Sequence, residues 1–291
     1  MDKHKRFPIH QMAVTNLEAW MRSARTILML LFIVSICYLE ATYNGQMFKQ
    51  MGREMHWDEL FFYLMSSGCN IQISSVLFLV TVSELPRQMA YQYQHLIRAN
   101  RTKWLASQCL YCIWTVLFVQ IVINLFSGLF LIPYTVPGAG WSEPALVASG
   151  EIPEEARIFP LFICDKLTPF QGNLLAQLPI FSFRLTMVFI ILMLSLYGHG
   201  LAGVIAYVFI LMADRTILVE AFNGIVLPMN FATFSSIIAT FTNPNRQWVT
   251  TGHELNSIGI AMGGHLAMLL FLVGLMRRRV RHCDLVFDGN S

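Results

Sequence analysis

From Leu60 to Ser83, from Trp104 to Ser142, from Leu185 to Ala213 and from Leu255 to Met276 the chain carries no Asp, Glu, Lys or Arg. Runs of this length match or exceed the roughly 20 apolar residues that take a helix across a bilayer. In hydrocarbon the backbone has no water to bond, so a helix that closes its own hydrogen bonds is the economical answer. Charge is scarce overall, 13% of 291 residues, where a soluble domain carries about a quarter. What charge there is clusters between the apolar runs. The chain reads as an all-α membrane protein, a single transmembrane domain over residues 1–291, and no stretch reads as a soluble domain.

Six spans are expected: about Thr26–Thr42, Leu60–Val82, Trp104–Pro133, Leu178–Tyr197, Leu201–Thr216 and Ile258–Met276. The third is long enough to tilt or to project from the bilayer. A tight Gly198-His199-Gly200 turn joins the fourth and fifth. Residues 11–25 form an amphipathic helix, with Ala13, Val14, Leu17, Trp20 and Met21 on one face. It suits the membrane interface, with Trp20 at headgroup depth. The apolar segment 218–241 is interrupted by Asn223-Gly224, Pro228 and Asn230, so residues 218–256 are expected to hold a re-entrant hairpin before the last span. The loop 134–177 is the longest connection, rich in proline and glutamate. The basic start, Lys3, Lys5 and Arg6, is followed by no signal-peptide pattern, so the first apolar segment is expected to stay as a span.

Six spans put both chain ends on one side, together with 83–103 and 198–200. Lys3, Lys5, Arg6, Arg22, Arg25, Arg87, Arg98, Arg101, Lys103, Arg277, Arg278, Arg279 and Arg281 then share that side. Only Lys49, Arg53, Arg157, Lys166 and Arg246 fall on the other. The positive-inside rule makes the first side cytoplasmic. A seventh span would carry Arg277–Arg281 outside.

GxxxxGK[ST], HExxH and GxSxG are all absent, so the chain holds no nucleotide-binding loop, zincin helix or nucleophile elbow. No set of His, Cys and carboxylates has ligand spacing, and no metal site is expected. Cys109 and Cys112 form a CxxC inside an apolar helix, where small packing residues are the plainer reading. His265 suits a helix contact. Gly259 and Gly263 form a GxxxG that suggests close packing.

The richest cytoplasmic stretch is 83–104. Glu84 and Arg87 close span two, Met89–Arg98 forms a short amphipathic helix containing Leu96, Ile97 and Arg98, and Arg101-Thr102-Lys103-Trp104 opens span three. The stretch reads either as an ordinary basic anchor or as a coupling helix. With the leading amphipathic helix, the short four–five turn and the re-entrant element before span six, the layout resembles the permease subunit of type-2 ATP-binding-cassette (ABC-2) exporters. The 134–177 loop is longer than in simpler members. The resemblance implies a second permease chain and separate ATPase subunits. ATP and Mg would be bound by those subunits, with no cofactor in this chain. It also implies coupling through Glu84, Arg87, Leu96, Ile97, Arg98 and Arg101, in a bacterial inner membrane.

Within the spans, Ser67, Asn70 and Ser74 share one helical face. Both a cavity lining and interhelical hydrogen bonding fit them. Arg184 and Asp214 fall near the outer ends of spans four and five, where an ion pair between antiparallel neighbours is the expectation. Two other classes remain. A seven-span sensor requires 218–241 to cross fully, and an intramembrane enzyme requires convergent catalytic groups that the spans do not supply. Nothing points to nucleic acid.

Overall fold

The computed structural model describes residues 9–50, 55–56, 59, 68–83, 85–86, 101–135, 140–142, 167–213 and 254–282. Seven α-helices run through them: α1 (Ile9–Met21), α2 (Ala24–Gln50), α3 (Gly68–Val82), α4 (Arg101–Leu131), α5 (Pro169–Leu196), α6 (Gly200–Ala213) and α7 (Glu254–His282). A 3-10 turn, Ile132–Tyr134, extends α4. Among the described residues there is no strand, only a lone bridge between Met55 and Thr135.

Three of these helices, α2, α5 and α4 with its 3-10 turn, are long and apolar enough to cross a membrane, consistent with a membrane protein. Their outward faces are apolar as well. Leu117, Ile121, Leu125 and Leu129 repeat every fourth residue along α4, all exposed. Leu201, Ile205 and Phe209 do so on α6, and Leu266, Leu270 and Phe271 line α7. Continuous apolar surface of this kind is a liability in water and the natural exterior of a protein in lipid.

Helix α4 packs against α1, α2, α5 and α7, and α5 packs against α4, α6 and α7. The α4–α5 pair is thus the centre of the bundle. Side-chain contacts fix the directions. Cys37 meets Ile123 and Ser127 while Gly45 lies against Tyr134, so α2 and α4 are parallel. Gln177 reaches Asn124 while Arg184 reaches Gln120, so α5 opposes α4. Gly203 lies on Ile191 and Tyr207 on Phe183, so α6 opposes α5. Met262 meets Ser182, His265 meets Thr186 and Arg279 meets the Leu196 carbonyl, so α7 runs parallel to α5. Ala213 and Glu254 therefore lie at the same end.

Arg22, Arg25, Arg101, Lys103, Arg277, Arg278, Arg279 and Arg281 all fall at the opposite end, where α1 sits. Lys49 is the one described Lys or Arg at the α2 C-terminal end.

The helix boundaries differ from the sequence expectation mainly at the outer ends. Helix α5 begins at Pro169, not Leu178. Thr168 caps it, accepting from Gln171 N at 3.3 Å, while the Gln171 side chain accepts from Thr168 N at 3.2 Å. This reciprocal box satisfies two orphan donors, and Pro169 at the first helical position has no N–H to lose. Helix α4 spans 31 residues, about 46 Å at 1.5 Å per residue. Its first turns overhang the start of α2, and α1 meets α4 beyond them, at Trp114 and Phe118.

Helix α1 turns its apolar face toward the bundle. Trp20 is 1% exposed, edge-on to Phe118 with ring centroids 5.9 Å apart. The buried face includes Met12 and Asn16 beside Ala13 and Trp20. The apolar stripe finds its cover in this chain's own α4.

At Tyr197–His199 the chain reverses as expected. Gly198 has φ +84°, a left-handed conformation that glycine adopts without strain. His199 N donates to the Leu194 carbonyl at 2.9 Å, closing the end of α5. Close helix approach occurs at Gly203 and not at Gly263. A Cβ on Gly203 would stand 2.9 Å from Ile191 Cα, whereas one on Gly263 would meet nothing within 4 Å. Gly203→Val should therefore lower stability by about 1–3 kcal/mol through overpacking. Gly263→Val should change it far less. Thermal unfolding of the two variants side by side in detergent measures the difference.

Candidate functional site

Arg184 stands at the middle of α5 with none of its surface exposed. Its Nη1 donates to Gln120 Oε1 of α4 at 3.1 Å, and its Nη2 donates to Ser74 Oγ of α3 at 2.8 Å. Next to Ser74, the Ser75 carbonyl accepts from the Tyr207 hydroxyl of α6 at 3.3 Å. On the other side Thr186 Oγ1 and His265 Nδ1 of α7 are 3.2 Å apart. Phe183 lies between Tyr207 and His265, its centroid 6.5 and 6.2 Å from theirs. Helices α3, α4 and α6 thus gather on the Arg184 side of α5, and α7 meets α5 on the other.

Among the described residues the hub is not saturated. Arg184 Nε, Gln120 Nε2 and Ser75 Oγ are buried and have no hydrogen-bond partner there. Both acceptors that Arg184 uses are neutral, and among the described residues no carboxylate pairs with it. A buried cation without a counter-charge is expensive, so the positive charge and the spare donors give this place a chemical preference for anions.

A second polar group extends along the α4–α5 seam toward the end where α5 begins. Gln177 Nε2 donates to Asn124 Oδ1 and to Asn173 Oδ1, both at 2.7 Å. Asn124 Nδ2 donates in turn to the Gln120 carbonyl at 2.9 Å. The amides form a file from Gln120 to Asn173, spanning about 16 Å along α5 from the Arg184 level.

Of the residues that the sequence singles out, Ser74 is in the hub, 5% exposed and bonded to Arg184. Asn70 lies on α3, with its side chain outside the described ones, and Ser67 and Asp214 lie outside the described residues. Arg184 is central, not at the outer end of its span, because the capping box starts α5 nine residues earlier than expected. Its described partners are Ser74 and Gln120. Of the coupling residues, Arg101 opens α4, exposed at the basic end. Glu84, Arg87, Leu96, Ile97 and Arg98 lie outside the described residues, as do 143–166 of the long loop and 214–253. Gln120, an amide in an apolar run with Asn124 one turn on, is a readable signal that span hydropathy passes over.

At the end opposite the basic cluster, Glu59 is fully buried. It accepts from Ser142 N at 2.7 Å and from Ser142 Oγ at 2.5 Å, and His56 Nδ1 bonds the Gly140 carbonyl. Trp141 Nε1 donates to the Leu167 carbonyl at 2.7 Å. These contacts clasp 55–59 to the start and finish of the long 134–177 loop. Burial pushes the Glu59 carboxyl above the usual carboxylate range, while the Ser142 donors oppose that rise. A raised value in the folded state means the clasp is strongest at acid pH, with the carboxyl neutral, and loosens as pH rises through the elevated value. Amide protection at Ser142, corrected for intrinsic exchange, should fall from acid to neutral pH. Glu59→Gln should flatten that dependence.

No family model, curated protein or solved structure matches this chain.

Proposed function

We propose that the chain is the six-span permease subunit of an ABC-2-type exporter, in a bacterial inner membrane with both termini cytoplasmic. It moves substrate by alternating access, driven by a separate ATPase subunit that binds ATP and Mg. A second permease chain, the same or different, completes the transporter. The chain itself carries no catalytic chemistry.

The observation that carries this reading is the base of α4. Helix α4 overhangs the start of α2 at the basic end and opens with Arg101 and Lys103. A basic helix end that projects past its neighbour offers a surface on which a partner can dock. The segment entering that projection, 83–104, is the proposed coupling element, with Glu84, Arg87, Leu96, Ile97, Arg98 and Arg101 facing the motor. The common end of Ala213 and Glu254 supports a 218–256 element that enters and leaves on one side, which is the six-span arrangement. It disfavours the seven-span sensor.

A motor shifts a permease only through contacts that differ between its two states. Reversing charge at Arg98 and Arg101, together with Leu96→Asp, should therefore abolish co-purification of the ATPase subunit while the permease still inserts. An unchanged ATPase yield removes the coupling role. Separately, tags fused at Met1 and Ser291 should both stay shielded from protease in intact cells. Cleavage of the C-terminal tag alone supports an odd number of spans.

A further inference from the structure

We propose that Arg184 is the docking point for an anionic headgroup, a carboxylate or phosphate, carried at mid-membrane by this chain. The proposal deepens the exporter reading and rests on it for its meaning.

The reasoning starts from what Arg184 lacks. Its guanidinium is fully buried on a central helix, holds two neutral acceptors and keeps Nε free. Gln120 offers a free Nε2 and Ser75 a free hydroxyl. A purely structural arginine would be expected to saturate its donors, because an unmet buried donor costs about 1–3 kcal/mol and more when charged. These unmet groups are the donors that an anion with two or more oxygens takes up, and arginine's planar fork matches such oxygens well. A cation is repelled here.

The amide file Asn124–Gln177–Asn173 adds direction. It continues the polar seam from the hub toward the end opposite the basic cluster, with its Gln177 donors bonded to Asn124 and Asn173. The apolar residues flanking the hub, Phe78, Phe183 and Val188, are all buried. They favour a headgroup borne on an apolar tail over a small free ion.

Binding is measured on the purified full-length chain in a non-ionic detergent, without any ATPase. The probes are dodecyl phosphate, inorganic phosphate and dodecyltrimethylammonium. Wild-type protein should bind dodecyl phosphate saturably and should not bind the ammonium amphiphile. Saturable binding of inorganic phosphate as well identifies a free anion as a ligand source, and its absence identifies an amphiphile headgroup. Gln120→Glu places a carboxylate of the same shape beside the guanidinium. It should weaken dodecyl phosphate binding at least about tenfold, the scale of a charge-assisted hydrogen bond, while raising thermal stability. Arg184→Lys, which keeps the charge, should retain more affinity than Arg184→Gln. Equal affinity in wild type and Gln120→Glu overturns the proposal, as does equal binding of the cationic amphiphile. Failure of an ATPase to co-purify leaves these outcomes untouched and bears on the exporter reading alone.

Discussion

Taking a guanidinium out of water costs several kcal/mol unless its protons are met and its charge is balanced. In this chain that demand falls on Arg184, in the middle of the helix against which α4, α6 and α7 pack. Its two bonds reach α3 and α4, and the hydroxyl of Tyr207 and the ring of His265 bring in α6 and α7 beside it. Apolar packing between lipid-facing helices is weakly specific, because lipid tails are as apolar as leucine. The polar hub supplies what packing lacks. One register of α3, α4 and α5 lets Arg184 find its acceptors, and sliding any of the three by a turn pulls an acceptor away from it.

The two ends of the bundle solve different problems. At the basic end, a glycine turn joins α5 to α6, and Arg279 lies over the Tyr197 ring at 4.9 Å. At the other end the chain spends its polar groups on itself. Glu59, Ser142, His56 and Trp141 tie one loop to another and hide a carboxylate that water would otherwise hold.

Much of the helical layout is legible in the sequence because hydrocarbon forces apolar runs into helices, and the Gly198 turn because glycine relaxes there. What escapes has local causes. Hydropathy starts span four at Leu178, past a Thr168-Pro169-Phe170-Gln171 box that marks a helix start as clearly as hydropathy does. That error moves Arg184 from the middle of its helix to the edge and makes an ion pair near the surface the natural expectation. Trp20 shows a different limit: a helical wheel names the apolar face of α1 but not what covers it. The partners of Arg184 and Glu59 lie 64 and 83 residues away, for Gln120 and Ser142 respectively, and no periodicity reports such distances. Ser74 stands out in the sequence for its face on the helix, and the hydrogen-bonding half of that reading describes what it does.

Helix α4 carries both Arg101 at its exposed base and Gln120 at the hub, on one continuous helix. Nineteen residues separate them, roughly 28 Å at the helical rise. A helix of that length is a lever. A tilt of roughly 5° about its base displaces Gln120 by roughly 2.5 Å, enough to break a hydrogen bond to a guanidinium that stays behind on α5. Force applied at the basic end therefore does not need to spread through the bundle to be felt at its centre; one stiff rod ends in the grip on the charge.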